Sequence, residues 1–429
     1  MRTRGRSRVA VGVAMMLALL TATASHGAGF SIFEHGSKAM GMAGAFTAQA
    51  DDPSAMFHNV GGLAFFDKQE FLVGLTYITQ TKADFTGVDP FPGSGTTEEL
   101  ETLAEIPPHL YWVRPLNEKY KVGLAINAPF GLVTEWENKD TFTGRFISTK
   151  AALTVVDINP NVGIKISDRF GLGFGAILRL AEVELNRRAP LINPFTGQPN
   201  DVATVVLESD MDNGVGWQVG FLAKPTDRFS WGFSYRSTIE VDFGGDAVLT
   251  QILTGNPQLD AVVAASLPFN AGLPIATSLE FPDAASLGFA YSFTSNLLVE
   301  VDLNWTGWSS FDQVVIDFTN DDLPDETLPQ NWDDANHYRL GVRYAGRRGE
   351  WRFGYVYDET PQPDEGVGPL LPDSSRNGVT VGYGWQGRLN WDLALMYLPF
   401  NTRSTSTNRD NYNGTYETVA WLLGVTVGW

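Results

Sequence analysis

The sequence predicts an all-β fold, an antiparallel transmembrane barrel of about fourteen strands with an N-terminal plug in its lumen. Three observations predict it: apolar residues that alternate along most of the chain, connections that alternate in length, and an aromatic C-terminus. The stretch GFLAKPTDRFSWGFSYRSTIEVDF shows the alternation, with Trp231, Phe233 and Tyr235 on one side and Gly232, Ser234 and Arg236 on the other. One side suits lipid and the other a lumen.

Tight polar turns occur at PLNEK, KISDRF, KPTDRF, FTSNL, GRRGE and WQGRLN, and long connections lie near 81–105, 187–208, 244–277, 320–335, 359–374 and 403–415. Short turns at one end and long loops at the other are the layout of an outer-membrane barrel. A β-propeller would show a repeat of roughly 40–50 residues, and none is found. The closing run VAWLLGVTVGW places Trp429, Val427, Val425, Leu423, Trp421 and Val419 on one face, the lipid stripe of a last strand that must pair with the first. Leu422, on the lumen side, suits an apolar interior.

The N-terminus MRTRGRSR, followed by VAVGVAMMLALL and the small-residue stretch TATASHG, reads as a secretory signal cleaved after Ala24 or Gly27. After it, no apolar run of about 18 residues occurs, so a membrane can be crossed only by a closed barrel. The chain has 30 basic and 49 acidic residues; losing the four arginines of the signal leaves 26 basic residues and a net charge of −23. That balance argues against a nucleic-acid partner, and zero cysteines exclude disulfides and thiolate metal sites. The mean hydropathy of −0.10 suits a barrel with a polar lumen.

Residues 28–68 differ from the rest, being rich in glycine, alanine and methionine without alternation, and SKAMGMAGAFTAQA could form a short helix. A compact apolar segment ahead of a barrel at 69–429 predicts a hatch that plugs the lumen. The loop DAVLTQILTGNPQLDAVVAASLPFNAGLPIAT is apolar enough for helices at Val248–Leu253 and Leu259–Leu267, with Leu253 and Leu259 on a landing site for hydrophobic cargo. For an acidic head group the candidate cations are Arg145, Arg179, Arg187 and Arg188, because guanidinium binds carboxylate in a paired geometry. If none points inward, an uncharged hydrocarbon is the better cargo. Enzyme signals are missing: the five histidines are scattered, and HExxH, GxSxG and P-loop motifs do not occur. DFTNDDLPDE lacks the glycine and spacing of a calcium loop and reads as a solvated extracellular loop, with divalent ions bridging it to lipopolysaccharide as the alternative; no protein metal site or cofactor is expected.

Several long stretches in order, WQVGFLAKPTDRFSWGFSYRSTIEVDFGG, LLVEVDLNWTGWSSFD and WRFGYVYDETPQPDE, make the mature chain resemble the FadL family of outer-membrane channels for long-chain fatty acids and hydrocarbons. The resemblance places signal cleavage after Gly27 and implies a fourteen-stranded barrel with a hatch at 28–68, in the outer membrane of a Gram-negative bacterium. It implies passive uptake of long-chain fatty acids or related hydrophobic compounds, with aromatic hydrocarbons or an aqueous porin as alternatives. A monomer is expected, in contact with membrane lipid, lipopolysaccharide and the barrel assembly machinery.

By the same resemblance, Phe30 touches cargo from the hatch. The family's Asn-Pro-Ala hatch motif falls on HNVGG, where His58, Asn59, Val60 and Gly61 form the gating turn and Val60 and Gly61 replace the proline and alanine. The family's kinked third strand, beside which cargo leaves sideways, falls on Pro129, Phe130 and Gly131. Proline gives no ladder donor and glycine marks bulges, so the kink has a physical basis in these residues. The ligand-facing arginine of the family falls near Arg187, with Leu185 in the column itself.

Overall fold

A computed structural model describes residues 29–192, 197, 199–269, 272–319 and 324–429. The signal expected at 1–27, residue 28 and residues 320–323 of one long connection lie outside them. Fourteen antiparallel strands form one closed wall. They are β1 (Glu70–Gly87), β2 (Pro108–Pro115), β3 (Tyr120–Asn127, continued as Gly131–Glu135), β4 (Lys150–Ser167) and β5 (Phe170–Ile192). Next come β6 (Asp212–Thr226), β7 (Phe229–Arg236), β8 (Ala284–Ser292), β9 (Leu297–Thr306) and β10 (Ala335–Ala345). The last are β11 (Glu350–Asp358), β12 (Arg376–Trp385), β13 (Asn390–Pro399) and β14 (Gly414–Gly428).

Closure is made by β1 against β14, in a register that sets Leu72 opposite Gly428 and Leu75 opposite Val425. At the end of the seam the Trp429 and Phe71 backbones exchange hydrogen bonds of 3.0 and 3.1 Å, and their rings stack at 5.4 Å. Along β14 the outward residues Trp421, Leu423 and Trp429 are exposed while Ala420, Leu422 and Thr426 are buried. The alternation read from the sequence is therefore the alternation of the strand. Aromatic pairs collect near both ends of the wall: Trp351 with Tyr383 and Trp385 with Trp391 beside the tight turns, Tyr397 with Trp421 and Trp217 with Tyr235 toward the long connections. Such belts sit where lipid meets water.

The described parts of two long connections carry strands of their own. β5 runs on into a hairpin with Pro199–Ser209, and Ile239–Gln251 pairs with both Pro199–Ser209 and Gly272–Phe281. The expected helix at Val248–Leu253 is absent, because Val248 to Gln251 form ladder pairs with Val206 to Ala203. The second helix is present as Pro257–Ser266, capped by the Asn256 side chain, which accepts from Gln258 and Leu259 N–H.

Residues 29–66 lie inside the wall, with helix α1 (Ser37–Met40), helix α2 (Ala55–His58) and a 3-10 turn (Val60–Phe65), most of them buried. SKAMGMAGAFTAQA is helical only over its first residues. Inward glycines of the wall leave room for this segment: a Cβ on Gly354 or Gly341 would run into Met42, one on Gly424 into Met40 and one on Gly163 into Leu63. Carboxylates of β9 hold it as well, since Asp302 accepts from the Phe46 and Thr47 N–H groups (both 2.9 Å) and Glu300 from Ala48 N–H and the Gln49 amide.

His35 and His58 are buried in the same segment, and each donates from Nε2, His58 to the His35 carbonyl (2.8 Å) and His35 to the Ala128 carbonyl (3.1 Å). Burial lowers the basicity of both rings, and His58 falls to about 3.

Two predictions follow from this packing. Trp429→Ala removes the stacked ring at the seam and should lower barrel stability by about 1 kcal/mol, read as a shift of the urea midpoint of the folded, heat-modifiable band. An unchanged midpoint would show that the ring carries nothing. His58 binds protons less readily folded than unfolded, so its contribution is present above the ordinary histidine value and is lost as pH falls from 6.5 toward 3. Between pH 7.5 and 5 this amounts to about 2 kcal/mol, and the fall in denaturation midpoint over that interval should be clearly smaller in His58→Gln.

Candidate functional site

The third strand leaves the wall where the sequence places proline and glycine. β3 pairs with β4 up to Asn127 opposite Asp157 and resumes at Gly131 opposite Thr154, so three residues span a distance that two cover on β4. The freed groups are taken up from inside: Ile32 N–H donates to the Pro129 carbonyl (2.8 Å), Gly131 N–H to the Phe30 carbonyl (3.0 Å), and Ser31 bridges Phe130. On the other side of β3 the ladder to β2 ends at Leu110 opposite Ile126, and the next pairing is the single bridge of Leu100 with Trp136. Between these points the wall has no ladder. This is a sideways gap beside Gly131.

An inner chamber of about 360 Å³ opens on that gap, lined among others by Phe30, Gly131, Leu132, Ile106 and Leu422. Above it lies a small apolar chamber of about 90 Å³, which shares Phe30, Leu132, Leu153 and Leu371 with the inner one. An outer chamber of about 350 Å³ among the long connections shares Leu185, Leu328 and Leu371 with the small one. The three chambers form a chain with apolar residues at each junction. Phe30 stands at the lower junction, packed in a cage of Phe130 (6.0 Å between ring centres), Trp308 (4.5 Å), Phe311 (5.6 Å) and Trp332 (5.7 Å). Beneath it is a polar side chamber of about 70 Å³, which Arg236, Arg339 and Arg376 border.

Each of the four arginines picked out in the sequence already has a carboxylate. Arg145 makes a forked pair with Asp201 (2.9 to 3.1 Å) and Arg187 one with Glu326 (2.6 Å on one arm), while Arg188 holds Asp140 and Thr204. Arg179, 1% exposed, forks onto Asp157 at 2.8 Å twice, between the rings of Phe130 (4.7 Å) and Phe281 (4.6 Å). It therefore lies buried beside the kink and lines none of these chambers. Arg187 lines the outer chamber, as does Leu185.

Leu253 and Leu259 part company. Leu253 is 73% exposed, whereas Leu259 lies within the Pro257–Ser266 helix, on its buried face with Val263 and against Val202. Leu253, Val262 and Ile192 are exposed apolar residues of this region.

Three residues that carry the site were passed over in the sequence. Arg376 borders both the inner chamber and the polar one, donates from Nη2 to the Gly29 carbonyl (2.8 Å), and has a buried Nε without a partner among the described residues. Arg339 donates to Asn304, the Ala43 carbonyl and Asp358 and lies 4.0 Å over Phe33. Glu34 faces both chambers, and burial raises its carboxyl above the ordinary value. The signal available was that each of these arginines sits at a lumen-facing parity of its strand.

The turn at HNVGG is built into the wall. Asn59 donates from Nδ2 to the Thr47 carbonyl (2.7 Å) and to the Phe221 carbonyl of β6 (2.9 Å), and its Oδ1 accepts from Gly61 N–H (2.9 Å). A Cβ on Gly61 would lie 2.5 Å from the Phe221 Cα, so the segment touches the barrel backbone here. Val60 is fully buried beside it, and His58 lines the polar chamber.

Relatives share this architecture. The chain is 24% identical to a long-chain fatty acid transport protein of Salmonella typhi, covering 98% of this chain and 97% of that one. It is 23% identical to outer membrane protein P1 of Haemophilus influenzae, over 89% and 88%. The solved FadL homologue of Pseudomonas aeruginosa has the same fold, with a TM-score of 0.80 at 21% identity over 94% of this chain and 99% of that one. The toluene transporter TodX of Pseudomonas putida gives a TM-score of 0.69 at 18% identity, over 94% and 98%. Residues 18–429 match the family described as outer membrane protein transport protein (OMPP1/FadL/TodX), and the chain belongs to that family of outer-membrane transport proteins.

Proposed function

We propose that this barrel takes up hydrophobic compounds, long-chain fatty acids or related molecules, and releases them sideways into the membrane beside Gly131. The single observation that carries the reading is the unladdered wall between β2 and β3, which meets an inner chamber connected by apolar junctions to the outer one. Hydrophobic cargo lands on the exposed apolar residues around Leu253 and passes the outer and middle chambers. It displaces Phe30, and with Phe30 go the two backbone bonds that hold the kink. The hatch turn at His58 to Gly61 stays anchored by Asn59 while residues 29–32 shift. A lumen filled from Gly29 to Phe66 does not favour an aqueous porin.

For a fatty acid, the head group belongs at Arg376. The four arginines near the path would have to give up their own carboxylates, whereas the Arg376 Nε is uncommitted at the edge of the inner chamber. The same pairing of the other cations, with the apolar middle chamber, favours a neutral aromatic hydrocarbon as the second reading.

Two variants test these steps. Gly131→Leu fills the gap from its edge, where a Cβ meets only the tip of Ile32. Uptake of radiolabelled cargo by cells should fall roughly tenfold, the effect of about 1.4 kcal/mol on the crossing step, with the amount of folded barrel unchanged. Full uptake would refute sideways exit at this point. Arg376→Gln should weaken binding of oleate by roughly 10- to 100-fold, as expected for a charge-assisted hydrogen bond of about 1.5–3 kcal/mol, and leave toluene binding alone. Unchanged oleate binding would leave the neutral-cargo reading standing.

A further inference from the structure

The tight turn between β10 and β11 carries a shallow, open surface pocket away from the chambers described above. It is lined by Gly346, Arg347, Arg348, Gly349, Trp351 and Tyr383. The turn is closed by Gly346 N–H donating to the Gly349 carbonyl (2.8 Å) and packs on Tyr383, whose hydroxyl would lie 2.7 Å from a Cβ on Gly349. Trp351 and Tyr383 meet edge to face at 4.7 Å and form the wall on the lipid side.

Both arginines are exposed and, among the described residues, make no ion pair. The acids nearest in sequence and register are taken: Glu350 and Asp392 both bind Arg352, at 2.8 and 2.5 Å. Arg388, on the neighbouring turn after β12, is likewise exposed and unpaired. Elsewhere at this end some cations have partners, as Arg169 has Asp227 and Lys165 has Asp168, while the exposed Arg114 and Arg228 stand singly at other turns without an ion pair among the described residues. A net negative chain thus keeps Arg347 and Arg348, with Arg388 on the neighbouring turn, free of ion pairs among the described residues beside an interfacial aromatic belt.

We infer that this pocket binds the head group of an anionic phospholipid from the leaflet at the tight-turn face. Guanidinium takes phosphate oxygens in a forked geometry. The aromatic wall gives the upper acyl chain and glycerol an apolar, amphipathic surface at head-group depth. Basic pockets at a membrane face recognise acidic lipids by this combination.

Native mass spectrometry of the delipidated full-length barrel, titrated with phosphatidylglycerol or with phosphatidylcholine of the same chains, tests the assignment. One phosphatidylglycerol should be retained in clear preference to phosphatidylcholine. In Arg347→Gln/Arg348→Gln its affinity should fall about thirtyfold, roughly fivefold for each charge near the surface. Because both side chains are exposed, the variant is expected to fold; its heat-modifiable band verifies that before titration. Equal retention of the two lipids, or phosphatidylglycerol affinity unchanged in the folded variant, overturns the proposal. Displacement of the bound lipid by inorganic phosphate at millimolar concentration would also overturn it, since the site would then be one for free anions.

Discussion

In hydrocarbon an unpaired backbone group costs several kcal/mol, and the rest of this structure depends on how that demand is met where the wall is broken. The β1–β14 seam meets it for the free edges, down to the paired backbones of Phe71 and Trp429. The kink at Ala128 to Phe130 cannot meet it within the sheet, because Pro129 has no N–H and the three residues have no facing partners on β4. Residues inside the barrel complete the accounting: Phe30, Ile32 and His35 receive or supply the bonds that β2 and β4 do not. An opening in the wall and a segment in the lumen are thus two halves of one solution.

Charge in the lumen follows the same logic of completion. Buried ions are tolerated when paired and fully hydrogen-bonded. Arg179 with Asp157 and Arg339 with Asp358 fit that description, and each guanidinium also lies over a phenylalanine ring. These pairs fix the rings of Phe130 and Phe33, so the electrostatics serve the geometry of the kink and the N-terminal segment. Arg236, Arg352 and Arg376 depart from the pattern with a partnerless Nε, and of these three Arg376 is the one at the edge of the inner chamber. An incomplete hydrogen-bond set at a chamber wall is what a ligand can complete.

The strands, the tight turns and the closing role of the C-terminus were legible because each rests on a local period or on turn chemistry. Trp421, Leu423 and Trp429 point outward and Leu422 inward, as parity alone requires. Past the membrane the same reasoning misleads. Val248 to Gln251 looked like an apolar helix, yet Val206 to Ala203, distant in sequence, offered them a ladder. The connection at 136–149, with Trp136 stacked on Phe142 at 4.3 Å, carries no periodic signal and was not separated from its strands. Nor could the arginines be sorted. Asp201 lies 56 residues from Arg145 and Glu326 lies 139 from Arg187, so only the closed fold tells a committed cation from an uncommitted one.

The turn at Asn59 to Gly61 shows how a departure from a family pattern can be absorbed. An alanine in place of Gly61 would press its Cβ to 2.5 Å from the Phe221 backbone, and β6 cannot yield there without breaking its ladder to β5 and β7. Glycine lets the turn touch the wall, and Asn59 then spans the contact with bonds to both sides, Thr47 within the segment and Phe221 on the barrel. What proline would supply by restricting the backbone is supplied here by burial of Val60 and by close approach. This end of the segment is consequently the anchored one. At the other end, residues 29–32 are held by a single aromatic side chain in an aromatic cage and by two backbone bonds to the kink.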